Sequence, residues 1–273
     1  MLAVHPTAQA RIDTLVTDLP QAVLLSGTRG VGLYTIARSI AAKQLFAEVR
    51  PQNIKEQVDS EHGTISVKMI RELYNQTGTK QSNRQVVIID DADKMSRGAQ
   101  AAFLKLLEEP NSHIHFILTT HAPQDLLKTI RSRLQETVIG PITPEQTIIL
   151  LSTLNVTDVA KTAQLRYIAM GLPAELIRLA TDTDYFTARA GVMGDARTLL
   201  QGSAYAKLLI AQKYHSQRET ALQLIDSALL MARRSLSDKP QHGLVVQLDK
   251  LLKTRLAIAS NGNIRLQLAL FVL

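Results

Sequence analysis

Along the first half of the chain, apolar residues fall in short blocks that alternate with stretches of helical period. Four blocks read as strands: AVLLS (22–26), VVIID (86–90), HFILTT (115–120) and ETVI (136–139). They are β-branched and nearly continuous in apolar character, as strands covered on both faces are. Between them, SVKMIRELYNQT puts Val67, Ile70, Leu73 and Tyr74 on one helical face after the cap candidate Ser66. SRGAQAAFLKLLEE repeats that logic with Ala102, Phe103, Leu106 and Leu107, and a helix-like stretch runs from Ile36 to Phe46. The alternation predicts an α/β domain over residues 1–140, a parallel sheet covered by helices.

After Pro141 the alternation stops and helical period takes over. TPEQTIILLSTL offers Thr143 as cap, Pro144 at the first helical position and Gln146 three residues past the cap, a capping box. A second helix is expected from about Val156 to Met170, stopping at Gly171, and a third from Pro173. These three helices fill residues 141–184. Residues 185–273 read as four further helices, punctuated by GD (194–195), HSQ (215–217), DKPQHG (238–243) and SNGN (260–263). No internal repeat or long linker interrupts the chain.

Charge and composition narrow the chemistry. Lys and Arg number 31 against 24 Asp and Glu in 273 residues, a formal charge of +7 without any long basic run. This permits a polyanion nearby without demanding one. The absence of cysteine excludes disulfides, thiolate zinc sites and cysteine nucleophiles. His113 and His115 point the same way if extended, but no carboxylate lies beside them at ligand spacing, so no metal site is expected. No segment reads as a secretory signal or a membrane span, so the expectation is a cytoplasmic protein with no membrane partner.

Directly after the first strand block comes GTRGVGLYT (27–35), with the spacing of a phosphate-cradling loop. In such a loop backbone N–H groups and a helix N-terminus surround a phosphate, a lysine neutralises it and a hydroxyl holds Mg²⁺. Gly27 and Gly32 hold the glycine positions, but Leu33 stands at the lysine and Tyr34 at the hydroxyl. Leucine offers no donor, so a triphosphate would lose charge-assisted hydrogen bonds of about 1.5–3 kcal/mol each. A plain strand-to-helix turn would have the same spacing. Asp90 and Asp91, at the carboxyl end of the second strand block, stand where an open α/β sheet would place a magnesium–phosphate site, or else simply begin a helix. Arg29 and Thr35 could substitute for the missing groups only in a different register.

The run from Val86 to Gln135, carrying DDADKM (90–95), FLKLLEEP (103–110), FILTT (116–120) and TIRSRL (129–134), resembles the AAA+ clamp-loader family, most closely its bacterial delta-prime branch. HP at 5–6, ISVKMIREL (65–73) and NGNIRLQLALFVL (261–273) extend the resemblance. It implies an AAA+ parallel-sheet domain with a degenerate phosphate loop, a helical lid (141–184) and an all-helical collar for oligomerisation (185–273). It further implies a non-catalytic, stator-type subunit that supports sliding-clamp loading in DNA replication. The implied partners are clamp-loader ATPase subunits and a delta-type subunit in a hetero-pentameric ring, with the sliding clamp and primer–template DNA reached through that complex.

Related subunits use the arginine of an S-R-C triplet as a finger on a neighbour's ATP; here the triplet is Ser132, Arg133 and Leu134, so the arginine is present and the cysteine is not. Such a finger is worth about 10³–10⁵ in phosphoryl-transfer rate. Arg131 competes for the role, two residues earlier and on the same face if this stretch is extended. The sensor arginine that follows G-x-x in the family's lid is replaced by Ala174 in GLPAELIRLA (171–180), with Arg178 one turn further on. The cysteine-rich zinc module of delta-prime relatives has no counterpart in residues 43–62. The resemblance therefore implies no cofactor: no zinc, and no tightly bound ATP. Two rivals stand beside it: an active or weakly nucleotide-binding AAA+ ATPase, and a stand-alone basic DNA-binding module. With 11 Phe plus Tyr and no Trp, stacking on single strands has little support.

Overall fold

A computed structural model describes residues 3–60, 62–77, 83–109, 111–238 and 242–272. The chain divides into two compact units, Met1–Ala180 and Thr181–Leu273. The first is a five-stranded sheet of β1 (Ala22–Gly27), β2 (Leu45–Val49), β3 (Gln85–Ile89), β4 (Ile114–Thr120) and β5 (Gln135–Ile139), in the order β2-β3-β4-β1-β5. Every pairing is parallel; Leu25 lies opposite Thr119 of β4 and Thr137 of β5. The four strand blocks read from sequence are thus β1, β3, β4 and β5.

Residues along the inner strands alternate between two cores. Leu24, Val87, Ile89, Phe116 and Leu118 pack on one side with Ile70 and Leu73 of α3 (Val67–Thr77) and Phe103 and Leu106 of α4 (Arg97–Glu108). Phe103 meets Phe116 edge-on at 5.3 Å. Val23, Leu25, Val86, Ile88 and Ile117 pack on the other side with Ile12 and Leu15 of α1 (Pro6–Thr17) and Ile36 and Ile40 of α2 (Leu33–Ala41). Such two-sided burial is what makes the strand blocks near-continuously apolar. Tyr74, expected on the apolar face of α3, is instead half exposed.

The helix-like stretch ending at Phe46 is corrected. α2 stops at Ala41, a short 3-10 turn follows, and β2 occupies residues 45–49. Among the described residues β2 pairs only with β3, and Val49 alone of its five residues is buried, so its alternating, partly exposed LFAEV is a sheet edge. The stretch 128–134 is also not extended: α5 (Lys128–Arg131) is a single helical turn, so Arg131 and Arg133 do not share a strand face. His115 lies in β4 with Nδ1 against the Pro20 carbonyl, while His113 sits in the turn before it.

Three helices complete this unit: α6 (Pro144–Thr153), α7 (Val159–Ala169) and α8 (Pro173–Thr181). The capping box at Thr143 and Gln146 is formed in both directions, and the Gln146 amide also donates to the Val4 carbonyl. Asp158 caps α7, later than the expected Val156, and Met170 and Gly171 leave it with positive φ.

Among the described residues the second unit holds five helices where four were expected: α9 (Thr183–Gln201), α10 (Ala204–Lys213), α11 (Arg218–Asp238), α12 (His242–Ala259) and α13 (Ile264–Val272). GD at 194–195 does not interrupt α9, within which Asp195 accepts from the Tyr214 hydroxyl and the Lys213 ammonium. The break falls instead at Gly202, where Ser203 caps α10. Ala221, Leu224, Ile225 and Ala228 form the buried stripe of α11, and Leu251 and Ile258 that of α12. No described helix is long and apolar enough to cross a membrane.

Candidate functional site

The sheet order reverses at β1, so the crevice beyond the carboxyl ends of β1, β3 and β4 is where an open α/β sheet presents its chemistry. Gly27 ends β1 there. A Cβ at this position would stand 2.5 Å from the Ile139 carbonyl oxygen and 3.0 Å from Val31 Cγ2, so only glycine lets β5 and the loop approach this closely. Gly30 and Gly32 turn the loop with φ of 92° and 84°, and Gly32 is the N-cap of α2.

Leu33 is the first residue of α2 and is 2% exposed, packed with Val31 and Ile36 into the core under the sheet. Gly27 and Gly32 thus have the spacing of a phosphate loop, and the residue after Gly32 is buried aliphatic carbon. Tyr34 turns toward β2. Its hydroxyl donates to Glu48 Oε2 at 3.0 Å, and the Arg50 guanidinium lies 4.4 Å from its ring centroid. Burial, then the bond to Glu48, pushes the Tyr34 phenol above its ordinary pKa, so it remains a protonated donor at neutral pH. Arg38 also pairs with Glu48, at 3.2 Å.

Asp90 and Asp91 are where the sequence places them, just past β3 and nearly buried. Arg50 Nε lies 3.3 Å from Asp90 Oδ2, and the Thr119 hydroxyl donates to Asp90 Oδ1 at 2.7 Å. Asp90 is thus held from both sides by groups of this chain. Asp91 adopts φ 50°, and its N–H donates to the Thr119 hydroxyl oxygen at 2.9 Å. Burial, reinforced by Asp90, raises the Asp91 pKa against the opposing charges of His121 and Arg29. His121 Nδ1 donates to the Gly27 carbonyl at 2.7 Å while Nε2 faces Asp91 at 3.7 Å, joining the ends of β1, β3 and β4. Asp93 accepts from the Thr120 hydroxyl and the His121 N–H.

The loop also meets α8. The Gly30 carbonyl accepts from the Ala174 N–H at 2.9 Å and the Glu175 N–H at 3.4 Å, so the loop backbone caps the helix. Ala174 faces Gly32, where a Cβ would lie 3.8 Å from Ala174 Cβ.

Glu48, Arg50 and His121 were missed by sequence reasoning. Glu48 lies on a strand that was not recognised and Arg50 directly follows it, and His121 follows FILTT without a pattern of its own. The available signal was LFAEVR itself, whose period-two alternation delivers Glu48 and Arg50 to one edge.

Arg133 lies in the turn after α5. Its Nη1 donates to the Thr129 carbonyl at 2.9 Å and its Nη2 to Glu108 Oε1 at 3.0 Å. Arg131 faces Glu136 at 3.7 Å, and the Ser26 hydroxyl donates to that carboxylate at 2.7 Å. The competing arginine is therefore engaged at β5 while Arg133 is gripped from α4. Among the described residues no cluster of three or more His, Asp, Glu or Cys could hold a metal ion.

The model of the family described as "DNA polymerase III, delta subunit" matches residues 52–143. A DNA polymerase III subunit gamma of Buchnera aphidicola is 40% identical over 131 residues, covering 40% of this chain and 35% of that protein. A DNA polymerase III subunit delta' of Bacillus subtilis is 38% identical over 79 residues, covering 29% of this chain and 24% of its own length. The matches thus span about a third or less of these relatives. The fold is that of a solved gamma subunit-related protein of DNA polymerase III from Thermotoga maritima, at TM-score 0.53 and 16% identity over 97% of both chains. With a five-stranded parallel sheet and this matched segment across its β3–β5 half, the chain is similar over that segment to subunits of the bacterial DNA polymerase III clamp loader.

Proposed function

We propose that this chain is a non-catalytic, stator-type subunit of the clamp-loader complex, of the delta-prime kind, which supports sliding-clamp loading and lends Arg133 to a neighbouring subunit's ATP site. The observation that carries the reading is Leu33, 2% exposed in the core at the cation position of the loop. Two neighbours support it. Asp90 is paired with Arg50, and Ala174 stands where the family's lid has its sensor arginine. Residues so engaged do not fit a magnesium–triphosphate: the anion would meet hydrocarbon, and a metal would have to displace a guanidinium from its carboxylate. No reaction step is therefore assigned to this chain's own loop.

In a complex the same chain acts through Arg133, whose guanidinium would stabilise the negative charge that develops as a neighbour's γ-phosphoryl group transfers. The basic excess of +7 suits a subunit near primer–template DNA without requiring it to bind DNA alone.

The gamma-type relative favours a second reading, a subunit that binds nucleotide itself, and one titration separates the two. Labelled ATP with Mg²⁺ is added to the isolated chain and binding is followed by equilibrium dialysis. The stator reading expects no saturable binding in the micromolar range and no turnover. Micromolar affinity with hydrolysis would establish the second. For the finger, Arg133→Ala in a reconstituted complex is expected to lower DNA-stimulated ATPase activity while leaving assembly intact. A rate equal to that of the parent complex would remove the assignment.

A further inference from the structure

An arginine that must meet a phosphate on another subunit carries about 2 kcal/mol of rotamer freedom, and catalysis benefits when its orientation is set beforehand. Around Arg133 two elements set it. Thr129, on α5, accepts from Nη1, and Glu108, the last residue of α4, accepts from Nη2. These bonds take two of the five N–H donors of the guanidinium. Nε–H and one hydrogen on each terminal nitrogen are left to serve an anion.

The platform under this grip is firm. Gln100 of α4, 4% exposed, donates to the Met95 and Asp125 carbonyls and accepts from the Leu127 N–H just before α5, so α4 and the finger turn are tied together by buried hydrogen bonds. The Arg133–Glu108 pair itself is 40% and 52% exposed. Exposed pairs are worth only about 0.2–1 kcal/mol of stability, so stability is a poor account of why a carboxylate faces this arginine.

Resting on the finger reading above, we propose that Glu108 is a positioning residue: its carboxylate fixes the plane of the Arg133 guanidinium for the phosphate of a neighbouring subunit's nucleotide. Glutamine at this position keeps one acceptor oxygen of the same reach while the charge is lost and the second oxygen becomes an amide NH2. Alanine removes the grip.

The test compares full-length parent, Glu108→Ala, Glu108→Gln, Arg133→Ala and the Glu108→Ala/Arg133→Ala double variant in the reconstituted complex, reading DNA-stimulated ATPase activity against ATP concentration. Glu108→Ala is expected to lower kcat by about three- to tenfold with KM for ATP unchanged within about twofold, the pattern of an interaction lost only in the transition state. Glu108→Gln should recover most of that loss, and the double variant should be no slower than Arg133→Ala, because Glu108 acts only through the arginine. If Arg133→Ala leaves kcat unchanged, the finger reading fails and takes this proposal with it. If Arg133→Ala is slow, the positioning role is overturned by any of three results, with the finger still standing: Glu108→Ala as fast as the parent, faster than the parent, or multiplying the arginine's defect.

Discussion

Leu33 and Asp91 are both buried, with opposite consequences. Full burial of a leucine side chain contributes about 1.5–3 kcal/mol, so Leu33 stabilises the fold at the point where a lysine would have served a ligand. Asp91 is buried as a carboxylate beside Asp90, and its pKa in the folded chain is raised by that burial and then by its neighbour. The folded state therefore binds the Asp91 proton more tightly than the unfolded chain does. Its contribution to stability is fully present below the unfolded value of about 3.9 and is lost as pH rises through the raised folded value. Asp91→Asn, which keeps a residue tolerant of φ 50°, should raise the urea midpoint at pH 7, with the gain vanishing toward pH 4. A lowered midpoint at pH 7 would mean that the opposing interactions with His121 and Arg29 outweigh the cost of burial. At this scale the sequence already displayed the departures at Leu33, Tyr34 and Ala174, since each is an identity at a fixed spacing. It could not display Arg50 against Asp90, a pairing across 40 residues of chain.

Among the elements, burial on both faces made three strands conspicuous, while β5, an edge strand of alternating burial, was read as well. β1, β3 and β4 are apolar on both sides, so their blocks stood out. β2 has one exposed face and one neighbour, and its first two residues, Leu45 and Phe46, continued the period of α2 closely enough to be absorbed into it. The box at Thr143 was readable because capping is local chemistry. The continuation of α9 through Gly194 was not, because a lone glycine does not by itself mark a helix end and the contacts Asp195 makes with Lys213 and Tyr214 are tertiary. The junction of loop and α8 belongs to this scale as well. Gly30→Ala would impose a side chain at φ 92° with its Cβ 3.2 Å from Glu175 Cβ and 3.3 Å from Leu172 Cβ. The expected cost is about 1–3 kcal/mol, seen in urea unfolding, with faster hydrogen exchange at the Ala174 and Glu175 amides as the local mark. Unchanged exchange there would show that the carbonyl does not hold the helix.

For the whole molecule, the α/β character and the resemblance to clamp-loader subunits were legible in alternation and in four consecutive motifs, whereas strand order and the number of helices after Thr181 came only from the fold. In a subunit whose lid is set by bound nucleotide, the angle between loop and lid reports which nucleotide is present. Here the Gly30 carbonyl already occupies the amides of Ala174 and Glu175. On the stator reading, the shape of this subunit would then stay the same whether ATP or ADP prevails in its surroundings, giving the assembly one wall that does not respond to the state of the cell's energy supply.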